Sequence, residues 1–168
     1  MKQLYLVRHA KSDWNASYSR DFTRPLSKRG AKDAERIGKK LAELNWLPQK
    51  ILCSTAERTQ QTAEILCQHA AINTNIIVNE ADIYEASMNT LINLITSTSE
   101  STQSLMLIGH NPSIEMLLLA LCHNEISVQA NGKVVTTGNI AKVNLSTPWC
   151  DLKAGSGELI RLLRPKEI

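Results

Sequence analysis

The chain has 168 residues, enough to bury an independent core, and a single domain spanning 1–168 is expected. Hydrophobic residues make up 43% and charged residues 21%, which excludes a disordered or fibrous chain. The net charge of +3 and the 4% aromatic content supply neither a strong basic field nor a base-stacking surface, so no nucleic-acid partner is expected.

Leu4 to Val7 reads as a short strand that stops at Arg8-His9. After a polar loop, Ser27 has N-cap chemistry. Ala31, Ala34, Gly38, Leu41 and Ala42 then fall at helical spacing, and Trp46 to Pro48 closes the segment. Lys50 to Ser54 is a second strand. It feeds a helix through about Ala71, with Thr59, Thr62, Ala63 and Leu66 on one face. Asn75 to Asn79 is a weaker strand, and Ser87 caps a helix striped by Leu91, Ile92 and Ile95. Leu105 to Ile108 is a buried strand stopped by Gly109-His110. Asn111-Pro112 has the N-cap and N1 chemistry that opens the next helix, which runs through Leu121. Gly132 and Gly138 punctuate a turn-rich stretch before two late strands, Ile140 to Leu145 and Glu158 to Leu163.

Alternating strands and helices predict an α/β fold. It is a three-layer αβα sandwich whose mostly parallel central sheet carries an antiparallel edge built from the two late strands. In such sheets ligands bind beyond the carboxyl ends of the strands. Arg8-His9, Ser54 to Arg58 and Gly109-His110 all fall there.

These residue types suit phosphoryl transfer. The transferred group is anionic, so catalysis rests on positioning and on cations aimed at its oxygens. Arg8 and Arg58 offer two guanidinium forks for phosphate, and the helix that begins near Ser54 to Glu57 adds its N-terminal dipole. A neutral imidazole is a competent nucleophile, and a flanking arginine helps keep it unprotonated. His9 can turn one ring nitrogen toward phosphorus while a backbone carbonyl holds the other, and His110 can donate to the phosphoryl oxygens. With no H-E-x-x-H or comparable ligand cluster, a reaction without metal or cofactor is expected. The four cysteines lack C-x-x-C spacing, which predicts reduced thiols; Cys53 is read as packing. The segment before Arg8 is too short for a signal-peptide apolar region, and the run from Met116 to Cys122 is too short for a bilayer. A cytoplasmic protein with no membrane partner is expected.

The blocks Leu6-Val7-Arg8-His9-Ala10, then Ser54-Thr55-Ala56-Glu57-Arg58-Thr59-Gln60-Gln61-Thr62-Ala63-Glu64, then Gly109-His110-Asn111-Pro112 resemble the signatures of the histidine phosphatase superfamily. That superfamily includes the cofactor-dependent phosphoglycerate mutases. The opening Arg8-His9-Ala10-Lys11-Ser12-Asp13-Trp14 and the run Arg24-Pro25-Leu26-Ser27-Lys28-Arg29-Gly30 are most similar to SixA-type phosphohistidine phosphatases. The resemblance implies a phosphoglycerate mutase-like fold, His9 as the phosphorylated nucleophile, and a phosphate pocket of Arg8, Arg58 and His110. It also places Asn15 near the phosphate, where the mutase branch has an asparagine. Larger members use a carboxylic acid to protonate the leaving alkoxide; Ile83-Tyr84-Glu85 resembles that place, making Glu85 the candidate acid and Asp82 the reserve. SixA-type enzymes manage without one, because an imidazole leaves as a weakly basic nitrogen.

Only one helix and loops fit between Asn79 and Leu105, so no large lid is expected. An open groove suits a phosphorylated protein of the histidine-containing phosphotransfer type. A small phosphoester is the alternative substrate, hydrolysed with Glu85 as acid. A non-catalytic phosphate-recognition module is the reading from a different class. Lys11 and Lys28 are read as a solvated face able to steer an anionic partner, and His69 and His123 as surface or helix-end residues.

Overall fold

The six strands are β1 (Lys2–Arg8), β2 (Lys50–Ser54), β3 (Ile77–Glu80), β4 (Ser104–Gly109), β5 (Ile140–Leu145) and β6 (Gly157–Leu163). They form one sheet in the order β3-β2-β4-β1-β5-β6. The computed structural model describes residues 1–168. β1, β2, β3 and β4 pair in parallel, while β5 runs antiparallel to both β1 and β6.

The period of two along a strand divides the core. Leu4, Leu6, Leu105 and Leu107 enter one cluster, and Tyr5, Val7, Met106 and Ile108 enter the other. The first cluster is covered by α3 (Met88–Thr96), through Leu91 and Ile95, and by α4 (Ser113–Leu121), through Ile114, Leu117, Leu118 and Leu121. The second is covered by α1 (Lys28–Glu43), through Ile37 and Leu41, and by α2 (Glu57–Ala70), through Ala63, Leu66 and Cys67. The expected three-layer αβα sandwich with an antiparallel edge is what forms. Each buried leucine of β1 and β4 contributes about 1.5–3 kcal/mol, so the centre of the sheet is a firm base for the loops at its ends.

Helix limits follow local chemistry. Ser27 caps α1, accepting from the Gly30 amide at 3.0 Å. Gly30 is required for a different reason: a Cβ there would collide with the Lys11 carbonyl oxygen, so the first turn of α1 lies directly on the chain leaving β1. Asn45 (φ 52°) and Ala71 (φ 54°) take left-handed conformations just past α1 and α2, which stops each helix. Ser87 caps α3 as expected, accepting from the Thr90 amide.

Two expectations are corrected. The third strand starts at Ile77, not Asn75, because the Asn73 side chain accepts from the Asn75 amide and winds Thr74–Ile76 into a 3-10 turn. Asn111 does not cap α4, which opens at Ser113; its amide instead donates to the Val135 carbonyl at 2.9 Å.

Register sets the working edge. Arg8 lies beside Gly109, and Cys53 beside Ile108, so the carboxyl ends of β1, β2 and β4 are adjacent. No helix is long and apolar enough to cross a membrane.

Candidate active site

The main chain fixes His9 from two sides. Its amide donates to the Gly109 carbonyl at 3.1 Å, and the Gly138 amide donates to the His9 and Arg8 carbonyls at 3.0 and 3.2 Å. Gly138 turns with φ 78°, a conformation that favours glycine. The ring Nδ1 lies 2.7 Å from the Ala10 carbonyl oxygen. A carbonyl can only accept, so Nδ1 carries the hydrogen and Nε2 keeps its lone pair. Burial pushes the His9 pKa down to about 3; the Ala10 bond opposes the shift, while His110, Arg58 and Arg8 add to it. The ring is therefore a neutral imidazole with one free nitrogen.

His110 stands across the hollow, its ring centroid 5.3 Å from that of His9. Its Nε2 lies 2.9 Å from the Ser54 hydroxyl, and its Nδ1 is buried without a partner. Burial, then the Arg58 charge, pushes its pKa down to about 4; Asp21 opposes the shift, and Arg8 and Arg24 add to it. When the Ser54 hydroxyl donates to Nε2, Nδ1 becomes a donor with no acceptor of its own.

Arg58, in the first turn of α2, is buried and held from outside. Its Nη1 donates to the Asp21 carbonyl at 2.8 Å and its Nη2 to Asp21 Oδ2 at 3.0 Å. Asp21 also accepts from Arg24 Nη2 at 2.8 Å and from the Tyr84 hydroxyl at 2.9 Å. These bonds, the Arg24 bond foremost, hold its pKa down to about 2, so Asp21 is ionised at neutral pH. No side chain caps α2, which leaves its first amides available beside the hollow.

Arg8 is steered by a relay on the other side. Its Nη1 donates to the Val135 carbonyl at 3.1 Å, the same oxygen that takes the Asn111 amide. Glu115 of α4 holds that segment by accepting from the Val134 and Val135 amides at 3.2 and 2.8 Å. Burial, opposed by the Glu115 charge, lowers the Arg8 pKa. Ala10 is fully buried, and its amide donates to the Thr62 hydroxyl at 3.1 Å.

The four residues read as the pocket are thus brought to one place. The other candidates make no bond to these four. Glu85 is exposed, has φ 57° and makes no hydrogen bond or ion pair with the site. Asp82 is exposed in a short 3-10 turn. Asn15 is exposed, and its amide donates to Asp13 in its own loop. Cys53 is fully buried, and burial raises its thiol pKa to about 12, which agrees with packing. Sequence reasoning missed Asp21, Tyr84 and Glu115. Tyr84 packs edge-on against His110 at 5.6 Å and against Phe22 at 5.1 Å, and with Arg20, Asp21 and Phe22 it lines a surface cavity beside His110. The sequence signal for Asp21 is its place three residues before Arg24, which opens the Arg24 to Gly30 run.

The sequence profile of the histidine phosphatase superfamily (branch 1) matches residues 4–98, more than half of the chain. The chain belongs to the histidine phosphatase superfamily. This histidine phosphatase is similar to a candidate phosphohistidine phosphatase SixA from Agrobacterium tumefaciens. The two are 32% identical over 98% of each chain, with a TM-score of 0.82. A structure of the protein histidine phosphatase SixA complexed with tungstate shares the fold, at 21% identity and TM-score 0.81 over 98% of both chains. Among curated sequences, an uncharacterized protein of Mycobacterium leprae is 29% identical, spanning 95% of this chain and 100% of its own length. The superfamily and the SixA-like fold make the protein a phosphatase.

Proposed function

We propose that this phosphatase hydrolyses phosphohistidine on a protein substrate through a covalent phosphohistidine on His9. The observation that carries the reading is the state of the ionisable groups at the hollow. His9 presents a neutral, unprotonated Nε2, whereas the carboxyl group that reaches the site, Asp21, is ionised and has no proton to give. An alkoxide leaving group needs that proton; an imidazole nitrogen departs with far less help. The candidate acid of the phosphomonoesterase alternative, Glu85, makes no bond to the site.

In the first step the Nε2 lone pair attacks phosphorus. The P–Nε2 bond forms as the P–N bond to the substrate imidazole breaks; the substrate ring carries a proton on its other nitrogen, so the electron pair of the broken bond leaves with a neutral imidazole. The ring of His9 becomes cationic, its Nδ1–H still bonded to the Ala10 carbonyl. Arg8, Arg58 and the Nδ1–H of His110 stabilise the equatorial oxygens. In the second step water attacks phosphorus and the P–Nε2 bond breaks, returning its electron pair to Nε2. Inorganic phosphate leaves with the water oxygen, and the water protons are shared between phosphate and solvent. The surface cavity at Arg20, Phe22 and Tyr84, with only α3 and short turns between β3 and β4, supports a substrate side chain carried on a folded protein.

The test is turnover of a phosphorylated histidine-containing phosphotransfer domain against small phosphomonoesters, with alkaline quenching to trap labelled enzyme. Base-stable, acid-labile label on the wild type and none on His9→Ala is expected, together with preference for the phosphohistidine protein. Efficient cleavage of small esters with the phosphohistidine protein left untouched would overturn the substrate assignment. Label persisting on His9→Ala would overturn the nucleophile. Binding of the phosphoprotein without turnover would support a recognition module instead.

A further inference from the structure

We propose that this protein carries a second oxyanion site, apart from the catalytic hollow and specific for a small free anion of the phosphate or pyrophosphate type. A cavity of about 140 Å³ opens at the carboxyl edge of the sheet on the far side of β1. Apart from Pro165 its lining is polar, and four cations converge on it: Lys11, Arg29, Arg164 and Lys166. They arrive from separate segments, Lys11 from the chain leaving β1, Arg29 from the first turn of α1, and Arg164 and Lys166 from the chain leaving β6.

Solvated lysines on a convex face would need no partner. Here the four cations line one small cavity, where charges are screened less than on an open convex surface. The carboxylate in the lining, Asp33, is 3.9 Å from Arg29 and does not balance the set. Arg164 is the telling member, because its side chain is only 9% exposed. Its Nη1 reaches Glu167 at 3.4 Å, and its Nη2 reaches the Ser127 carbonyl at 3.1 Å, the Val134 carbonyl at 3.4 Å and the Ser127 hydroxyl at 3.5 Å. Its Nε has no partner. Paired with Glu167 at 3.4 Å and with its Nε unpartnered, this buried guanidinium can still take a closer anion. Thr137 adds a hydroxyl to the lining, while that of Thr136 is already committed to Asn139. Several donors and excess positive charge around a small hollow suit a tetrahedral oxyanion, which offers acceptors in every direction.

The wall of this cavity is continuous with the backbone that holds the nucleophile. The Thr136 hydroxyl donates to Asn139 Oδ1, the Asn139 carbonyl accepts from the Arg8 amide, and the Gly138 amide binds the Arg8 and His9 carbonyls. An occupant would therefore stiffen the turn beneath His9. The site does not depend on which phosphorylated compound is cleaved there.

The test is calorimetric titration of the full chain with inorganic pyrophosphate at low salt. Wild type should show two binding events. Arg58→Ala should remove the one in the catalytic hollow. Arg29→Glu/Lys166→Glu, both exposed positions, should remove the other and leave kcat on phosphohistidine substrate unchanged in the absence of pyrophosphate. Lys11→Gln, also exposed, serves as a second variant should the charge reversal lower the melting temperature. A single event in wild type that disappears with Arg58→Ala would overturn the proposal. A second event that survives both the charge reversal and Lys11→Gln would do the same.

Discussion

Asp21→Asn isolates the function of the carboxylate that grips Arg58. In wild type its side-chain oxygens accept from Arg24 at 2.8 Å, Tyr84 at 2.9 Å and Arg58 at 3.0 Å, while its carbonyl takes the other Arg58 nitrogen at 2.8 Å. Asparagine keeps the main-chain tether and one acceptor but loses the charge and the second oxygen. Hydrogen bonds to charged groups contribute about 1.5–3 kcal/mol each when shielded from water. This side chain is 48% exposed, so screening reduces the net loss to about 1 kcal/mol, or a fall in Tm of about 2–4 °C for a domain of this size. The kinetic effect is larger. Arg58 would pivot about one remaining tether, and a misplacement of about 1 Å at a reacting centre costs on the order of 10²-fold. A drop in kcat/KM of about 10- to 100-fold is expected, mostly in kcat, because the guanidinium interacts most strongly with the charge of the transition state. Initial rates on phosphohistidine protein, paired with a circular-dichroism melt, measure both quantities. Kinetics within twofold of wild type would refute the positioning argument. A faster variant would show that Asp21 competes with phosphate for Arg58.

Three further outcomes are expected. Glu115→Ala, which releases Val134 and Val135 and through them Arg8 and Asn111, should lower stability by about 1–2 kcal/mol in a urea melt and lower kcat/KM by about 10-fold; wild-type kinetics would break the relay. Ser54→Ala removes the partner of His110 Nε2 and should cut kcat by about 5- to 10-fold with little change in KM, as one hydrogen bond of about 1 kcal/mol requires. Acid should destabilise the fold early. The folded pKa values of His9 and His110, about 3 and about 4, lie below the ordinary 6.5, so between these limits the unfolded chain takes up protons that the folded chain refuses. Stability is then complete above about pH 6.5 and falls as pH drops toward 4, by up to about 2.7 kcal/mol per pH unit for the two rings together. Urea midpoints from pH 7 to pH 4.5 measure this, and His110→Gln should halve the slope; a flat profile would contradict neutral buried rings.

Local patterns carried most of the architecture. The stops at Arg8-His9, Ser54 and Gly109-His110 sit where continuous apolar runs end, so the strand ends and the pocket residues on them were readable from a few neighbours. Ser27 and Ser87 announced their helices through side chains that bond three residues ahead. What escaped detection depends on contacts distant in sequence. Asp21 meets Arg58 across 37 residues, and Arg8 meets Val135 across 127. Neither Asp21 nor Glu115 belongs to a periodic pattern, and an acidic residue on a loop or helix surface is ordinarily just solvated. Likeness to larger relatives points to Glu85, whereas the bond to Asp21 is made by its neighbour Tyr84. Asn111 looked like a cap because local chemistry permits it, and a carbonyl on a remote loop took its amide instead.

Under the proposed covalent route, the partner of the His9 ring would bear on the lifetime of the phosphorylated enzyme. A carboxylate in the position of the Ala10 oxygen would cancel the positive charge that the ring gains with the phosphoryl group, and would tend to preserve the adduct. An uncharged amide oxygen orients the ring without neutralising it. The uncompensated positive charge of a phosphoimidazolium on that ring would weaken its bond to phosphorus and favour rapid release over storage of the group.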